Sequence, residues 1–138
     1  MTSPPPSPSW ALQQAVFAAL SADNAVCAFV AARIFDAVPP AAPLPYLVLG
    51  EAEEADESAT LGAATRHRLA LHVWSRAGGT RELKQIAAAV RTCLDGAPLT
   101  LSGHNLADLS FVSAGYTRQN DGRTFRAVLR FTALTEPF

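Results

Sequence analysis

From Phe125 to Ala133 an apolar side chain falls on every second position, at Phe125, Ala127, Leu129, Phe131 and Ala133. Arg126, Val128, Arg130 and Thr132 take the alternate places. A period of two is that of a β-strand, and a strand divided in this way needs an apolar cover over one of its faces. Asn120, Asp121 and Gly122 supply hairpin-turn chemistry just before it, and the run from Leu106 to Arg118 supplies a partner strand. A third strand shows in Leu69, Leu71 and Val73, which alternate with Arg68, Ala70, His72 and Trp74. Trp74 on the second face implies that this face is not simply wet.

Helical stripes provide the cover. Leu12, Val16 and Leu20 recur every four residues beside Ala15 and Ala19, with Ser7 or Ser9 as the cap. Asp23 to Ala32 reads as a second short helix, capped by Asp23 and burying Val26, Phe29 and Val30, and leads into a short strand at Arg33 to Val38. Gly78 and Gly79 break the Trp74 strand, Gly79 or Thr80 caps a helix, and Leu83, Ile86, Ala87, Val90 and Leu94 form its stripe. Asp95, Gly96 and Pro98 stop it, after which Leu99 to Leu101 makes a short strand and Ser102 to His104 a turn. The expected fold is α+β, a mostly antiparallel sheet of about four to five strands with two main helices packed on one face.

One stretch departs from this plan. Pro39, Pro40, Pro43 and Pro45 cannot supply a ladder of amide donors, so the segment must be an exposed or edge connection. Tyr46 to Leu49 then opens a strand that runs into Glu51, Glu53, Glu54, Asp56 and Glu57. Small residues follow from Ser58 to Ala64, and the next strand begins with Arg66, His67 and Arg68. An antiparallel hairpin would lay the acidic limb beside the basic one, forming a long β-hairpin arm that projects beyond the core. The organisation expected is a disordered proline-rich arm over residues 1–8 and a single domain over 9–138.

The 138 residues suit one domain, and although 49% are apolar, alanine contributes about a fifth of the chain and adds little to a large core. Charged residues make up only 17%, against about 25% in an average domain. The net charge of −1 disfavours a free duplex-binding protein of the usual basic kind. A chain so poor in charge carries a large neutral surface, for which burial against other subunits is the first physical expectation. Cys27 and Cys93 lie in helical stretches away from any CxxC and read as buried free thiols, which fits a reducing cytoplasm. No apolar run reaches the roughly 18 residues of a membrane span, and the N-terminus lacks the positive region of a secretory signal.

Chemical signatures are sparse. His67 and His72 are an odd number apart and point to opposite strand faces, and His104 sits in a polar turn, so no catalytic or metal-binding histidine is assigned. The acidic run, with no second acidic cluster to complete a cation site, reads as a solvated or salt-bridged arm. Gly78 and Gly79 lack the Walker spacing, and no nucleophile elbow or cysteine–histidine neighbour occurs. All but one of the 11 basic residues are arginine, and Arg118, Arg123, Arg126 and Arg130 group around the last hairpin. Phosphate recognition and pairing with carboxylates across a subunit boundary are both open to them.

Several segments carry a family resemblance. They are Arg-Ile-Phe-Asp-Ala-Val-Pro at 33–39, Pro-Tyr-Leu-Val-Leu-Gly-Glu at 45–51 and His-Arg-Leu-Ala-Leu-His-Val-Trp-Ser-Arg at 67–76. With Asp-Gly-Arg-Thr-Phe-Arg-Ala-Val-Leu-Arg-Phe at 121–131 and the terminal Thr-Glu-Pro, the chain from about Trp10 onward resembles the tail completion, or tail terminator, proteins of tailed phages and gene transfer agents. These motifs are strand ends, turns and a helix cap.

The resemblance implies a small non-enzymatic subunit, without cofactors, that assembles as a homo-oligomer, commonly a hexameric ring, on the end of the tail tube. Such a ring stops tube growth, offers a surface to the head connector or stopper, and lets DNA pass through its lumen without reading its sequence. Assembly would occur in the bacterial cytoplasm, and the finished place would be the tail of the particle. Within this reading Glu51, Glu53, Glu54, Asp56, Glu57, Arg66, Arg68, Trp74, Arg118, Arg126 and Arg130 are the expected interface residues. A second reading is another head–tail component, a stopper or adaptor. A third is a small ligand-binding or hydrolytic domain in which His72, His104 and carboxylates meet in a cleft.

Overall fold

The alternating segment at the end of the chain becomes the inner strand of the sheet. In the computed structural model, which describes residues 7–58 and 62–137, β5 (Phe125–Pro137) lies between β3 (Thr65–Ser75) and β4 (His104–Arg118) and pairs antiparallel with both. β2 (Tyr46–Asp56) adds to the far edge of β3, and β1 (Ile34–Phe35) adds to β2, giving the order β1-β2-β3-β5-β4. The β1–β2 pairing is parallel, so the sheet is mixed although mostly antiparallel.

Three helices are placed in full among the described residues: α1 (Pro8–Ala22) and α2 (Asn24–Val30) before β1, and α3 (Arg81–Leu94) between β3 and β4. Ser7 caps α1, its hydroxyl accepting from the Trp10 amide at 3.1 Å, and Pro8 opens the helix where its missing N–H costs nothing. The arm expected over residues 1–8 lies, as far as residue 6, outside the described residues. Asp23 caps α2 by accepting from the Val26 amide at 3.0 Å. Thr80 holds the cap position of α3 without a side-chain bond, and the helix ends at Asp95, before Gly96 at φ 73°.

The helices lie over one face of the sheet and bury the stripes the sequence marks: Leu12, Val16 and Leu20 from α1, and Leu83, Ile86, Val90 and Leu94 from α3. They meet Leu47, Leu71, Val73, Leu109, Ala127, Leu129, Phe131 and Ala133. Each such large aliphatic or aromatic side chain contributes about 1.5–3 kcal/mol on leaving water.

Two expected strands are reduced. Arg33 to Val38 yields only the two residues of β1, because the chain bends after Phe35 toward the proline segment. Leu99 to Leu101 yields a single bridge, Leu101 to His104, so the following strand begins at His104. The β2–β3 hairpin is present with 11-residue limbs. Its basic limb is held by β5 along its whole length, from Thr65 opposite Thr135 to Ser75 opposite Phe125. The arm is thus a continuation of the sheet, with β2 as its edge.

Candidate functional site

Because the helices gather on one side, the other face of the sheet carries no element of the described chain. Strand register sets its side chains in rows. Tyr46, Trp74, Arg126 and Thr117 form one row, followed by Val48, His72, Val128 and Gly115. Glu53, Arg68, Thr132 and Ser110 form a later row, and Ala55, Arg66, Leu134 and Asp108 the last. A bulge between Leu49 and Ala52 places Glu51 beside the middle rows.

Glu51 is the centre of a polar network. Its Oε2 lies 2.9 Å from His72 Nε2 and its Oε1 lies 3.5 Å from Arg130 Nη1. The hydrogen bond with His72, helped by a backbone bond and by both nearby charges, holds the Glu51 carboxyl below its ordinary range. Gly50 makes the arrangement possible, since the His72 ring occupies the space that a Cβ at residue 50 would need.

Further along the arm, Arg68 Nη1 reaches Glu53 Oε1 at 2.9 Å, an exposed pair worth up to about 1 kcal/mol. Beyond Glu51 it is the one acid–base pair of the arm within 4 Å among the described residues. Glu54 stands opposite His67 and points to the helix-covered side, while Arg66 stands opposite Ala55. Asp56 accepts from the Ser58 amide at 2.9 Å and from the Ser58 hydroxyl, which lowers its carboxyl pKa. Glu57 closes the limb, its amide donating to the Ala64 carbonyl. Among the described residues Glu54, Asp56, Glu57 and Arg66 have no ion-pair partner within 4 Å.

At the opposite end of the face the guanidinium of Arg126 sits 5.6 Å from the centre of the half-buried Trp74 ring. Such stacking is worth about 0.5–1 kcal/mol where exposed and more where water is excluded. Arg126 Nε is buried with no hydrogen-bond partner among the described residues. The arginines around the last hairpin do not form one patch. Arg118 stacks on Phe125 at 5.3 Å, opposite Phe125 on the helix-covered side, whereas Arg126 and Arg130 belong to the open face. In the hairpin turn Asp121 accepts from the Arg123 and Thr124 amides and from the Thr124 hydroxyl, and these bonds, those of Thr124 first, bring its carboxyl down to about 2.

The histidines stay apart from one another's chemistry. His72 serves the open face, while His67 is buried on the helix side with its Nε2 2.8 Å from Thr135 Oγ1. Burial lowers the His67 pKa, Glu54 opposes that shift, and His104 and Arg66 add to it. His104 therefore lies near His67, on the side away from His72, and the cleft required for the hydrolytic reading does not form. Among the described residues no group of three or more His, Cys, Asp or Glu could hold a metal, and no helix is long and apolar enough to cross a membrane.

Some surface residues escaped sequence reasoning. Val112, 58% exposed, is lifted onto the open face by a bulge between Phe111 and Ser113 and borders a shallow groove of about 290 Å³ with Glu51, Arg68 and Arg130. On α1, Trp10 and Phe17 are exposed seven residues apart on one side of the helix. Gly50 inside an apolar strand run is the only advance sign of any bulge.

An open face of stacked arginine, half-buried tryptophan and paired charges is equipped to bind other surfaces. Residues 14–136 match the family described as Tail completion protein gp17. A chain in the structure titled "Virion of native gene transfer agent (GTA) particle" superposes with a TM-score of 0.85 at 38% identity, covering 93% of this chain and 96% of that one. No curated protein matches. A match across nearly the whole domain, in sequence and in fold, leaves one conclusion: the chain belongs to the tail completion protein gp17 family and is a structural tail protein of the phage and gene-transfer-agent type.

Proposed function

We propose that this protein is the tail terminator of its particle, a non-enzymatic subunit that closes into a ring, a hexamer in this reading, on the end of the tail tube. The ring stops tube polymerisation and presents its far side to the head connector or stopper. The observation that carries the reading is the unpartnered sheet face with Trp74 and Arg126 at one end and the acidic arm at the other. A protein of net charge −1 with such a face gains by covering it against further copies. DNA would traverse the lumen without base-specific contacts, which suits a near-neutral conduit. Assembly begins in the bacterial cytoplasm and ends in the tail.

Electron microscopy of particles made with and without this protein tests the proposal. Tubes of uncontrolled length in its absence support termination. Tubes of normal length that fail only to join heads would point to a stopper or adaptor instead. Charge reversal at the arm, Glu53→Lys with Glu54→Lys, weakens incorporation into tails while leaving the melting temperature nearly unchanged, because exposed pairs contribute at most about 1 kcal/mol to the fold.

A further inference from the structure

The two ends of the sheet carry opposite charge. At the end holding the β4–β5 turn, Arg76, Arg118, Arg123 and Arg126 outnumber Asp121, paired with Arg76 at 3.6 Å, and Glu82, which accepts from the Ser75 hydroxyl. At the end holding the β2–β3 turn, Glu53, Glu54, Asp56, Glu57 and, across the sheet, Glu136 outnumber Arg66 and Arg68. The separation is large: Arg66 to Trp74 alone spans about 26 Å along β3. Within one chain these ends cannot neutralise each other.

Resting on the ring reading, we infer that the acidic arm tip of one copy, Glu54 to Glu57, docks on the Trp74–Arg126 shelf of the next. The occupant of the shelf is thus a second copy of this chain. Three observations point the same way. The Arg126 guanidinium has no carboxylate within 4 Å among the described residues, and an incoming carboxylate would supply one. Glu54 and Glu57 are carboxylates without a cationic partner within 4 Å among the described residues. Both features lie on strands of one rigid sheet, so tip and shelf are different patches held at a fixed angle. A contact between different patches is heterologous, the kind that generates rings when its rotation closes. Tyr46, opposite Trp74 on the open face, adds a second aromatic residue beside the shelf.

The test uses two full-length variants, Arg126→Glu (shelf reversed) and Glu54→Lys/Glu57→Lys (tip reversed), each checked by circular dichroism and thermal melting. Alone, each should assemble at least about tenfold more weakly than the parent, by mass in solution and by occupancy on tails. Mixed, they should recover: the intact tip of the first fits the intact shelf of the second, and the reversed tip meets the reversed shelf with attractive charge. The mixture should therefore form rings of the two variants in equal number, and assembly of the parent should weaken as salt rises. Arg126→Gln, which keeps the size but not the charge, should fall between parent and Arg126→Glu and guards against misfolding of the reversal. Normal rings from both variants alone, or no recovery on mixing, would overturn the tip-to-shelf pairing and leave the ring in place. Duplex DNA binding lost in Arg126→Glu with assembly intact would also overturn it. A parent chain that stays single in solution and on tails would remove the ring reading itself.

Discussion

The imidazole of His72 fills the place of a Gly50 side chain. A Cβ added to Gly50 would press into the ring and stand 2.9 Å from the Ala70 carbonyl oxygen, while the same ring reaches Glu51 at 2.9 Å. The bulge, the glycine and the Glu51 network are therefore one device on the open face.

Gly50→Ala should destabilise the fold by about 1–3 kcal/mol, the usual range for forced overpacking, because the carbonyl beneath it is backbone and cannot swing aside. In a His72→Ala background the same change should cost less, and the difference is the coupling between the two positions. Urea unfolding of the four chains measures it; equal costs in both backgrounds would show that the ring is not what the new methyl meets.

His67 makes stability fall in mild acid. Its folded pKa is lowered from the ordinary 6.5 by burial, so the unfolded chain binds more protons below that value. Its contribution is fully retained above about pH 6.5 and is lost as pH falls below it, through the folded pKa. Unfolding midpoints between pH 7.5 and 5 should decline in the parent, and His67→Gln should flatten that part of the profile.

Cys93 should be a poor nucleophile. Burial first, with the charge of Asp23 second, pushes its thiol up to about 11, and its Sγ sits 3.6 Å from the Ala19 carbonyl. Against the usual 9.0 that is about 100-fold less thiolate at neutral pH. Iodoacetamide labelling at pH 8 should be correspondingly slow for Cys93 in the folded chain and accelerate on unfolding.

Phe131 anchors the sheet against the helices, 1% exposed, with the Phe111 ring edge-on at 5.7 Å. Phe131→Ala should cost about 3–5 kcal/mol, through the lost transfer energy and the cavity left behind. Chemical denaturation measures it. A cost below about 1 kcal/mol would mean that the core collapses freely around the gap.

The parts of this fold that were readable in advance are those where burial repeats at the period of one element. The stripes of α1 and α3, the Asp23 cap and the alternation of β5 all do so. The arm's charges were readable as a set but not as pairs. Register decides that Glu53 meets Arg68 while Glu54 meets His67, and one inserted residue at the Leu49/Ala52 bulge sets that register. The bulges at Leu106/Asp108 and Phe111/Ser113 carry no composition signal, so the placing of Val112 on the open face could not be foreseen. Nor could the division of the arginines, since Arg118 and Arg126 are neighbours at the hairpin yet flank it on opposite faces. The match of fold and family was legible through motifs that are themselves structural.

The last strand in chain order, β5, joins β3 to β4, one place in from the β4 edge of the sheet. Until residues 125–137 leave the ribosome, β3 and β4 each present a bare edge with no mate. Messages cut short before Phe125 would release sticky half-sheets for proteases to clear. The topology leaves the sheet incomplete until each chain has been translated through β5.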